Sequence, residues 1–422
     1  MDWVVEPERR VPVVADVEVL VCGGGFAGVG AALAAAQNGA KVLLLERYGF
    51  LGGLCTGALV LTTPPLDNGI NIEFARRLKE KNVFAPSEAL AGEVKLIDPE
   101  ILKYEFVNML QEQGVDILLH TFVVGALMEE NSIRGVIIES KAGRQAIRAK
   151  MLVDATGDAD VVAFAGAPFR EFRKPMTMMF NIVGVNTAKA LAKLGNWGNL
   201  RNVVKEATER GELSFDLGIY WEFEAPGVNA ANLLYDGELN VWAGNLMGMS
   251  GIDPRDLTKA EIATREHAMR LATYLKKNFP GFENSRIECT STQVGVRATR
   301  LIVGEASPTM EDVENKLFDD TVVKPYAKQT MRLPYGSILP QKVENLLVAG
   351  RCISAHEDAM AKLRLLPVCS ATGQTAGTAV ALALKQGVTP RRLDVSLLQK
   401  TLMEQKMDLG LARPVAVHYS TG

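Results

Sequence analysis

Three glycines and one acid carry the first chemical signal. Gly23, Gly25 and Gly28 lie in VEVLVCGGGFAGVG (residues 17–30) with the spacing GxGxxG, between a short apolar run and an alanine-rich stretch. A strand that ends in such a turn and opens into a helix is built to hold a pyrophosphate. Gly23 permits the tight turn, Gly25 lets the backbone approach the phosphates, and Gly28 lets helix and strand pack closely. The helix N-terminus then presents unpaired N–H groups to the anion. Glu46 ends the next apolar run, KVLLLE. A carboxylate there accepts both ribose hydroxyls and repels a 2′-phosphate. Turn and acid together predict a bound dinucleotide, and on their own they fit nicotinamide and flavin equally.

Three further stretches favour flavin. ERYGFLGGLCTG follows directly, and its Gly52-Gly53 pair puts a second flexible turn beside the pyrophosphate, as an elongated FAD needs. Arg47, Gly52, Gly53 and Cys55 are assigned with it to the cofactor side. In LVDATGDADVVAFAGAP, a buried strand ends at Ala155-Thr156-Gly157, where Ala155 and Gly157 let the backbone pass close to the adenosine side of the cofactor. In NLLVAGRCIS, a late strand ends at Gly350-Arg351. A helix N-terminus near Gly373 is then expected to stabilise negative charge on a reduced isoalloxazine through its dipole. No second GxGxxG follows a strand. AGNLMGMSG, from Ala243, has the glycines without a helix behind them and reads as a loop. Without a nicotinamide-binding unit, reducing equivalents must come from the substrate or a partner.

Hydride transfer at a flavin also needs a base for a substrate alcohol or amine, or a cation for a carboxylate. CISAHEDAMAKLRLLPVC (352–369) joins the late strand to the last small-residue helix and is the first place to look. His356 is its candidate base and Arg364 its candidate anion receptor; the plainer readings are a structural histidine and a salt bridge. QVGVRATR adds Arg297 and Arg300, as a substrate or flavin clamp or as an interdomain ion pair. Cys55 has redox or covalent-flavin chemistry open to it, and the plainer reading is a small buried hydrophobe. Asp158 and Asp160 read as helix caps. No residues are assigned to a metal.

These residues need a scaffold. Strands are expected at residues 17–22 and 41–46 around a helix at 27–38, giving one βαβ unit. A helix from Asp98 leads to the strand VDILLHT, and three strand-like runs ending in VDATG form a β-meander. From Phe169 the texture changes: three of the four tryptophans (Trp197, Trp221, Trp242) lie there, with alternating runs such as TMMFNIVGV. Thr258 and Glu261 read as a capping box for a helix stopped by Pro280-Gly281. The expected architecture is α/β: a discontinuous Rossmann-like FAD-binding domain (14–168 and 334–395, parallel sheet plus meander), an inserted α+β substrate domain (169–333) and a helical tail (396–422).

Composition sets the outer bounds. A chain of 422 residues with 48% hydrophobic and 23% charged residues sustains a large core. Its net charge of −3 gives no electrostatic case for nucleic acid or an anionic membrane. Five scattered cysteines, none spaced CxxC, fit a reducing compartment. MDWVVEPERR lacks the form of a signal peptide, so a cytoplasmic protein is expected.

GxGxxG with Glu46, then GGLCTG, the meander into DATGDAD, VGVRATRLIVGE and AGRCIS before a terminal helix together resemble the FAD-dependent oxidoreductases of the glutathione-reductase-2 structural type. The resemblance covers nearly the whole chain. It implies small-molecule substrates and hydride transfer at the flavin, and it leaves the particular substrate, the electron acceptor and a homo-oligomeric state open. Two rival activities stay beside it, a flavin-dependent monooxygenase and an FAD-dependent RNA-modifying protein; an electron-transfer or binding subunit is a third. One departure stands out. Where many such flavoproteins have Gly-Asp after the late strand, this chain has Gly350-Arg351, so the acid that usually contacts the ribityl chain is missing there.

Overall fold

The computed structural model describes residues 2–87, 94–214, 228–411 and 419. Its main sheet begins with β1 (Val13–Cys22), followed by α1 (Phe26–Gln37) and β2 (Val42–Leu45). The short α2 (Leu54–Gly57), α3 (Ile70–Glu80) and α4 (Pro99–Glu112) precede β3 (Asp116–Leu118). The hairpin strands β4 (Phe122–Glu129) and β5 (Ser132–Ser140) then lead into β6 (Gly143–Asp154). Among the described residues the strand order is β3-β2-β1-β6-β5-β4, with the late strand Leu346–Val348 also paired to β6.

β6 does two jobs because it is long. Its first half pairs antiparallel with β5, from Ser140 opposite Gly143 to Gly135 opposite Arg148. Its last residues, Leu152 to Asp154, pair in parallel with Leu346–Val348. Along its other edge it runs parallel to β1, with Cys22 opposite Asp154. The carboxyl ends of β2, β1, β6 and the late strand therefore fall on one edge of the sheet, where open α/β folds bind ligands. The βαβ unit, the meander and the parallel core match the α/β class read from sequence.

Helices cover the sheet for local reasons. Asp98 starts α4 by accepting from the N–H groups of Glu100 and Ile101, both at 2.9 Å, with Pro99 in the first turn. Phe26, Phe74 and Phe106 pack ring against ring at 5.0–5.8 Å, fastening α1 to α3 and α4.

A second unit has its own sheet and core. Its strands β7 (Met179–Val183), β8 (Val228–Asn232), β9 (Leu239–Ala243) and β10 (Arg286–Thr290) are arranged β8-β9-β7-β10. The long helix α5 (Pro254–Asn278) packs Ala260, Ala268, Leu271 and Leu275 onto it, over Phe180, Val241 and Phe282. Trp197 is buried in this core, and Trp242 packs partly buried on Leu59, Leu61 and Met179. Trp221 lies outside the described residues.

Several expectations need correction. The long helix starts at Asp253-Pro254, not at a Thr258–Glu261 capping box. Asp253 accepts from the N–H groups of Arg255 and Asp256, and Thr258 Oγ1 instead donates to the Pro254 carbonyl at 2.6 Å. The chain returns to the first core earlier than residue 334, since Leu301, Ile302, Val313, Val322, Val323 and Leu333 all pack there. The helix α3 and a small sheet of Thr62–Thr63, Phe84–Ser87 and Val94–Ile97 had no counterpart in the sequence reading. The last long helix, α6 (Leu366–Gln386), begins about two turns before Gly373. Val395–Glu404 is helical at the start of the expected tail, and 412–418 and 420–422 lie outside the described residues.

Gly373 consequently sits inside a helix and not at its N-terminus. A Cβ built there would fall 2.9 Å from the Ala27 carbonyl carbon and nearer still to its oxygen, and one on Gly377 would meet the Ala31 carbonyl in the same way. On the facing helix, a Cβ on Gly30 would be 2.7 Å from the Ser370 carbonyl oxygen. These glycines bring α1 and α6 into backbone contact. Among the described residues no helix is long and apolar enough to cross a membrane.

Candidate active site

A deep cleft opens along the carboxyl edge of the main sheet. Its floor is Gly23–Ala27, Glu46, Ala155–Asp158 and Ala349–Arg351, and it runs on between Val60–Pro64, Val294–Val296 and Arg364–Leu366. The glycine turn is shaped as its spacing demands. Gly23 has φ +108°, and a Cβ there would lie 2.6 Å from the Ala155 carbonyl carbon, so β6 can only close against a glycine. Gly28 does not line the cleft. A Cβ on it would overlap the Gly23 carbonyl, which is the close helix–strand packing expected of that position.

α1 points an uncapped N-terminus at the cleft. Its N-cap, Gly25, has no side chain, and its first turn holds no acid. The first turn itself thus leaves its N–H groups and dipole uncapped, which favours an anion there. Glu46, 7% exposed, is fixed beside them: Oε2 accepts from Gly24 N–H at 2.7 Å and Oε1 from Tyr48 N–H at 2.9 Å. Arg47 lies over the Tyr48 ring (4.8 Å) and near the Phe122 ring (6.0 Å), making an aromatic, cationic end to the cleft.

The turn after β6 is held from below by a buried acid. Asp154 is fully buried and accepts from Thr156 N–H (3.1 Å), Thr156 Oγ1 (2.7 Å) and Val162 N–H (3.0 Å). Burial pushes its carboxyl up to about 6 against those bonds. Asp158 and Asp160 do not cap the following helix; Thr156 Oγ1 takes the Asp160 N–H at 3.0 Å. Asp158 Oδ1 accepts from Thr299 Oγ1 (2.7 Å) and pairs with the Arg351 guanidinium (3.3 Å). Asp160 pairs with Arg300 at 2.9 Å, and the Arg300 guanidinium also lies over Phe169.

Of the residues singled out in the sequence, Gly23, Gly25, Glu46, Arg47, Gly52, Gly53, Ala155, Gly157, Gly350, Arg351 and Arg364 line this one cleft. Others do not. His356 is on the surface, its side chain 57% exposed and its Nδ1 2.9 Å from Asp358, so it is not positioned as a base for this cleft. Arg297 donates to the Pro175 carbonyl and Thr177 Oγ1, tying strands of the second unit together. Cys55 is fully buried in α2 behind the cleft wall, and burial pushes its thiol far up, which leaves it a small hydrophobe. Gly373 is the helix-packing glycine described above.

Sequence reasoning missed the groups that close the cleft. Tyr48 Oη donates to Gln293 Oε1, and Arg47 reaches the same oxygen at 3.3 Å. Glu261, on α5, accepts from Val294 N–H at 2.6 Å and pairs with Arg265 at 3.0 Å. Apart from the Glu261–Arg265 pair within α5, these contacts join segments far apart in the chain, and no local pattern announces them. Cys369 also lines the cleft, its thiol pushed up by burial to about 11.

A parallel sheet with a glycine turn, an uncapped helix N-terminus and an acid at the next strand end defines a dinucleotide-binding enzyme. The profile of the family described as FAD dependent oxidoreductase matches residues 18–402, and the chain belongs to that family. It is 31% identical to the thiamine thiazole synthase of Sulfolobus acidocaldarius over 166 residues, 36% of this chain and 60% of that protein. It is 28% identical to digeranylgeranylglycerophospholipid reductase 1 of Methanococcoides burtonii over 162 residues, 35% of this chain and 40% of that protein. The chain thus spans roughly half the length of the curated relatives it matches. Among solved structures, p-nitrophenol 4-monooxygenase PnpA from Pseudomonas putida DLL-E4 shares the fold, with a TM-score of 0.51 at 14% identity, covering 93% of this chain and 85% of that one.

The cofactor is FAD, and the residues present suit it. The uncapped α1 terminus accepts a pyrophosphate, and the cleft is longer than the glycine turn alone requires.

Proposed function

We propose that this enzyme exchanges a hydride between flavin N5 and a small organic substrate lying where the second unit faces the cleft. The observation that carries this reading is the continuation of the cleft beyond the glycine turn. There Val60, Pro64, Leu257, Val294 and Val296 supply apolar wall, and Arg364 supplies one guanidinium beside the start of α6. Bound FAD would supply the two-electron chemistry. The protein's own residues then have distinct tasks. The apolar walls displace water from the reacting atoms, which strengthens every polar contact made there. Arg364 orients a substrate carboxylate or other anion. Glu261, paired with Arg265 and bonded to Val294 N–H, positions the wall strand. The contacts of Arg47 and Tyr48 with Gln293 hold the second unit against the first across the cleft.

The test is spectroscopic. The purified protein should show a two-band flavin spectrum, and acid precipitation should leave the colour in the supernatant. Under anaerobic conditions a member of a panel of small alcohols, amines and carboxylic acids should bleach it. Arg364→Met should raise the concentration of an anionic substrate needed for half-bleaching about tenfold or more, the scale of one charge-assisted contact. A colourless protein that takes up no added FAD overturns the reading. So does flavin that no organic substrate bleaches but NADPH reduces rapidly with oxygen consumption, which would mark a monooxygenase.

A further inference from the structure

We propose that Asp158, oriented by Arg351 and Thr299, is the acceptor for the ribityl hydroxyls of FAD, as the counterpart of Glu46 at the ribose. The inference rests on FAD being the cofactor and not on the substrate reading above.

The argument begins with sheet order. β2, β1, β6 and the late strand Leu346–Val348 end side by side on one edge. Adjacent strands are about 4.8 Å apart, so the ends of β2 and β6 flank the glycine turn of β1 by about 5 Å on each side. FAD has a matching symmetry: a central pyrophosphate with a polyol on either side, ribose toward adenine and ribityl toward the ring. With the pyrophosphate over β1 and α1, one polyol meets the end of β2, where Glu46 stands. The other meets the turn after β6, which on this geometry faces the ribityl side and not the adenosine side expected from sequence. Polyol hydroxyls donate, and an ionised carboxylate is acceptor-only with room for several bonds.

Among the described residues four carboxylates line the cleft, and two of them are on the β6 side: Asp158 and Asp160. Asp160 is committed to Arg300 at 2.9 Å. Glu261 belongs to the second unit and is held by Arg265 and Val294 N–H. Asp158 makes both its side-chain contacts, to Thr299 and Arg351, through Oδ1, so among the described residues Oδ2 keeps its acceptor capacity. The site is built rather than incidental. Asp158 and Arg351 side chains are each 13% exposed, and the guanidinium is braced against the Arg297 carbonyl at 3.4 Å. A Cβ on Gly157 would lie 2.7 Å from Arg351 Nη2, so this glycine makes room for the pair. An arginine at the late strand end therefore does not remove the acid from this part of the cleft. It reaches across Gly157 and holds an acid donated by the neighbouring strand end.

The experiment separates the two halves of the cofactor. Apoprotein carrying Asp158→Asn, Asp158→Ala, Arg351→Met, Arg351→Lys or Glu46→Ala is titrated with FAD and with ADP, which lacks the ribityl and the ring. Asp158→Asn and Asp158→Ala should weaken FAD binding tenfold or more while ADP binding stays within twofold of wild type. Arg351→Met should do the same, with Arg351→Lys recovering part of the loss. Glu46→Ala should weaken both ligands. FAD affinity within twofold of wild type in both Asp158 variants overturns the assignment. Equal losses for FAD and ADP also overturn it, since they would mark Asp158 as structural support for the turn. Asp158→Asn keeps the side chain's shape, and its retained ADP binding certifies a folded cleft. A wild-type protein that binds ADP but no FAD would instead refute the cofactor itself.

Discussion

Replacing Gly373 with alanine sets two known effects against each other, and the structure decides between them. In a helix interior, Gly→Ala gains roughly 1 kcal/mol of helix propensity. At Gly373 the added methyl group lies 2.9 Å from the Ala27 carbonyl carbon and closer to its oxygen. Relaxed carbon contacts need about 3.5 Å or more, so α1 and α6 must part by about 1 Å. They cannot part at one point, because the Gly30–Ser370 and Gly377–Ala31 contacts lie on the same seam. Overpacking of this kind costs about 1–3 kcal/mol. Because backbone meets backbone here, with no flexible side chain to give way, the upper end applies, and the net loss should be about 2 kcal/mol. Denaturant unfolding of the apoprotein measures it, using Gly387→Ala as a comparison. Gly387 follows α6 at φ +66° with nothing within 4 Å of its would-be Cβ, so its cost of about 1 kcal/mol is one of backbone strain alone. Shifting α1 also displaces its N-terminus, so Gly373→Ala should weaken ADP and FAD binding together although Gly373 touches neither. A Gly373→Ala protein as stable as wild type, or more so, would refute the packing argument.

Other consequences follow from the same coordinates. Glu46→Gln replaces one accepting oxygen with a donor facing Gly24 or Tyr48 N–H; losing one charge-assisted bond should cost the apoprotein about 2 kcal/mol, read as a shift in the urea midpoint. Burial lifts Asp154 to about 6, above its ordinary value, so its share of stability is complete below that ordinary value and is lost as pH rises through 6. Wild type should therefore lose up to ~3 kcal/mol relative to Asp154→Asn between pH 4 and 7, and a pH-independent difference would count against it. Cys289 is the exposed thiol, with Cys22, Cys55, Cys352 and Cys369 buried, so native protein should show one fast-alkylating cysteine, abolished in Cys289→Ser. A second fast thiol would mean that a buried cysteine, with Cys369 at the cleft the first suspect, opens to solvent.

The half of the site that was legible in the sequence is the half made by neighbours in the chain. Gly23, Gly25 and Glu46 belong to one βαβ unit, where spacing alone fixes geometry. The second half is made by contacts over long separations. Tyr48 and Gln293 meet across the cleft, Asp158 meets Thr299 and Arg351, and neither pairing leaves a local pattern. His356 drew attention through rarity and position in a loop, and the loop turns it to solvent. Gly373 was given the wrong partner: a glycine permits close approach, and nothing in the sequence says whether a ligand or another helix approaches. Asp253-Pro254 outcompeted Thr258 as a helix start because a side-chain cap followed directly by proline satisfies the first turn at once.

The late strand Leu346–Val348 has a consequence for biosynthesis. It completes the sheet edge beside β6, and the cleft's last wall, Gly350 to Cys369, comes with it. The glycine turn and Glu46 are translated roughly three hundred residues earlier, and the β6 turn roughly two hundred. At the usual elongation speed of about 5–20 residues per second, the shorter of these is a delay of ~10–40 s. Throughout that interval the nascent chain carries a glycine turn and β6 edge without their final neighbour. The lining of the cleft is therefore complete only once Cys369 has been translated.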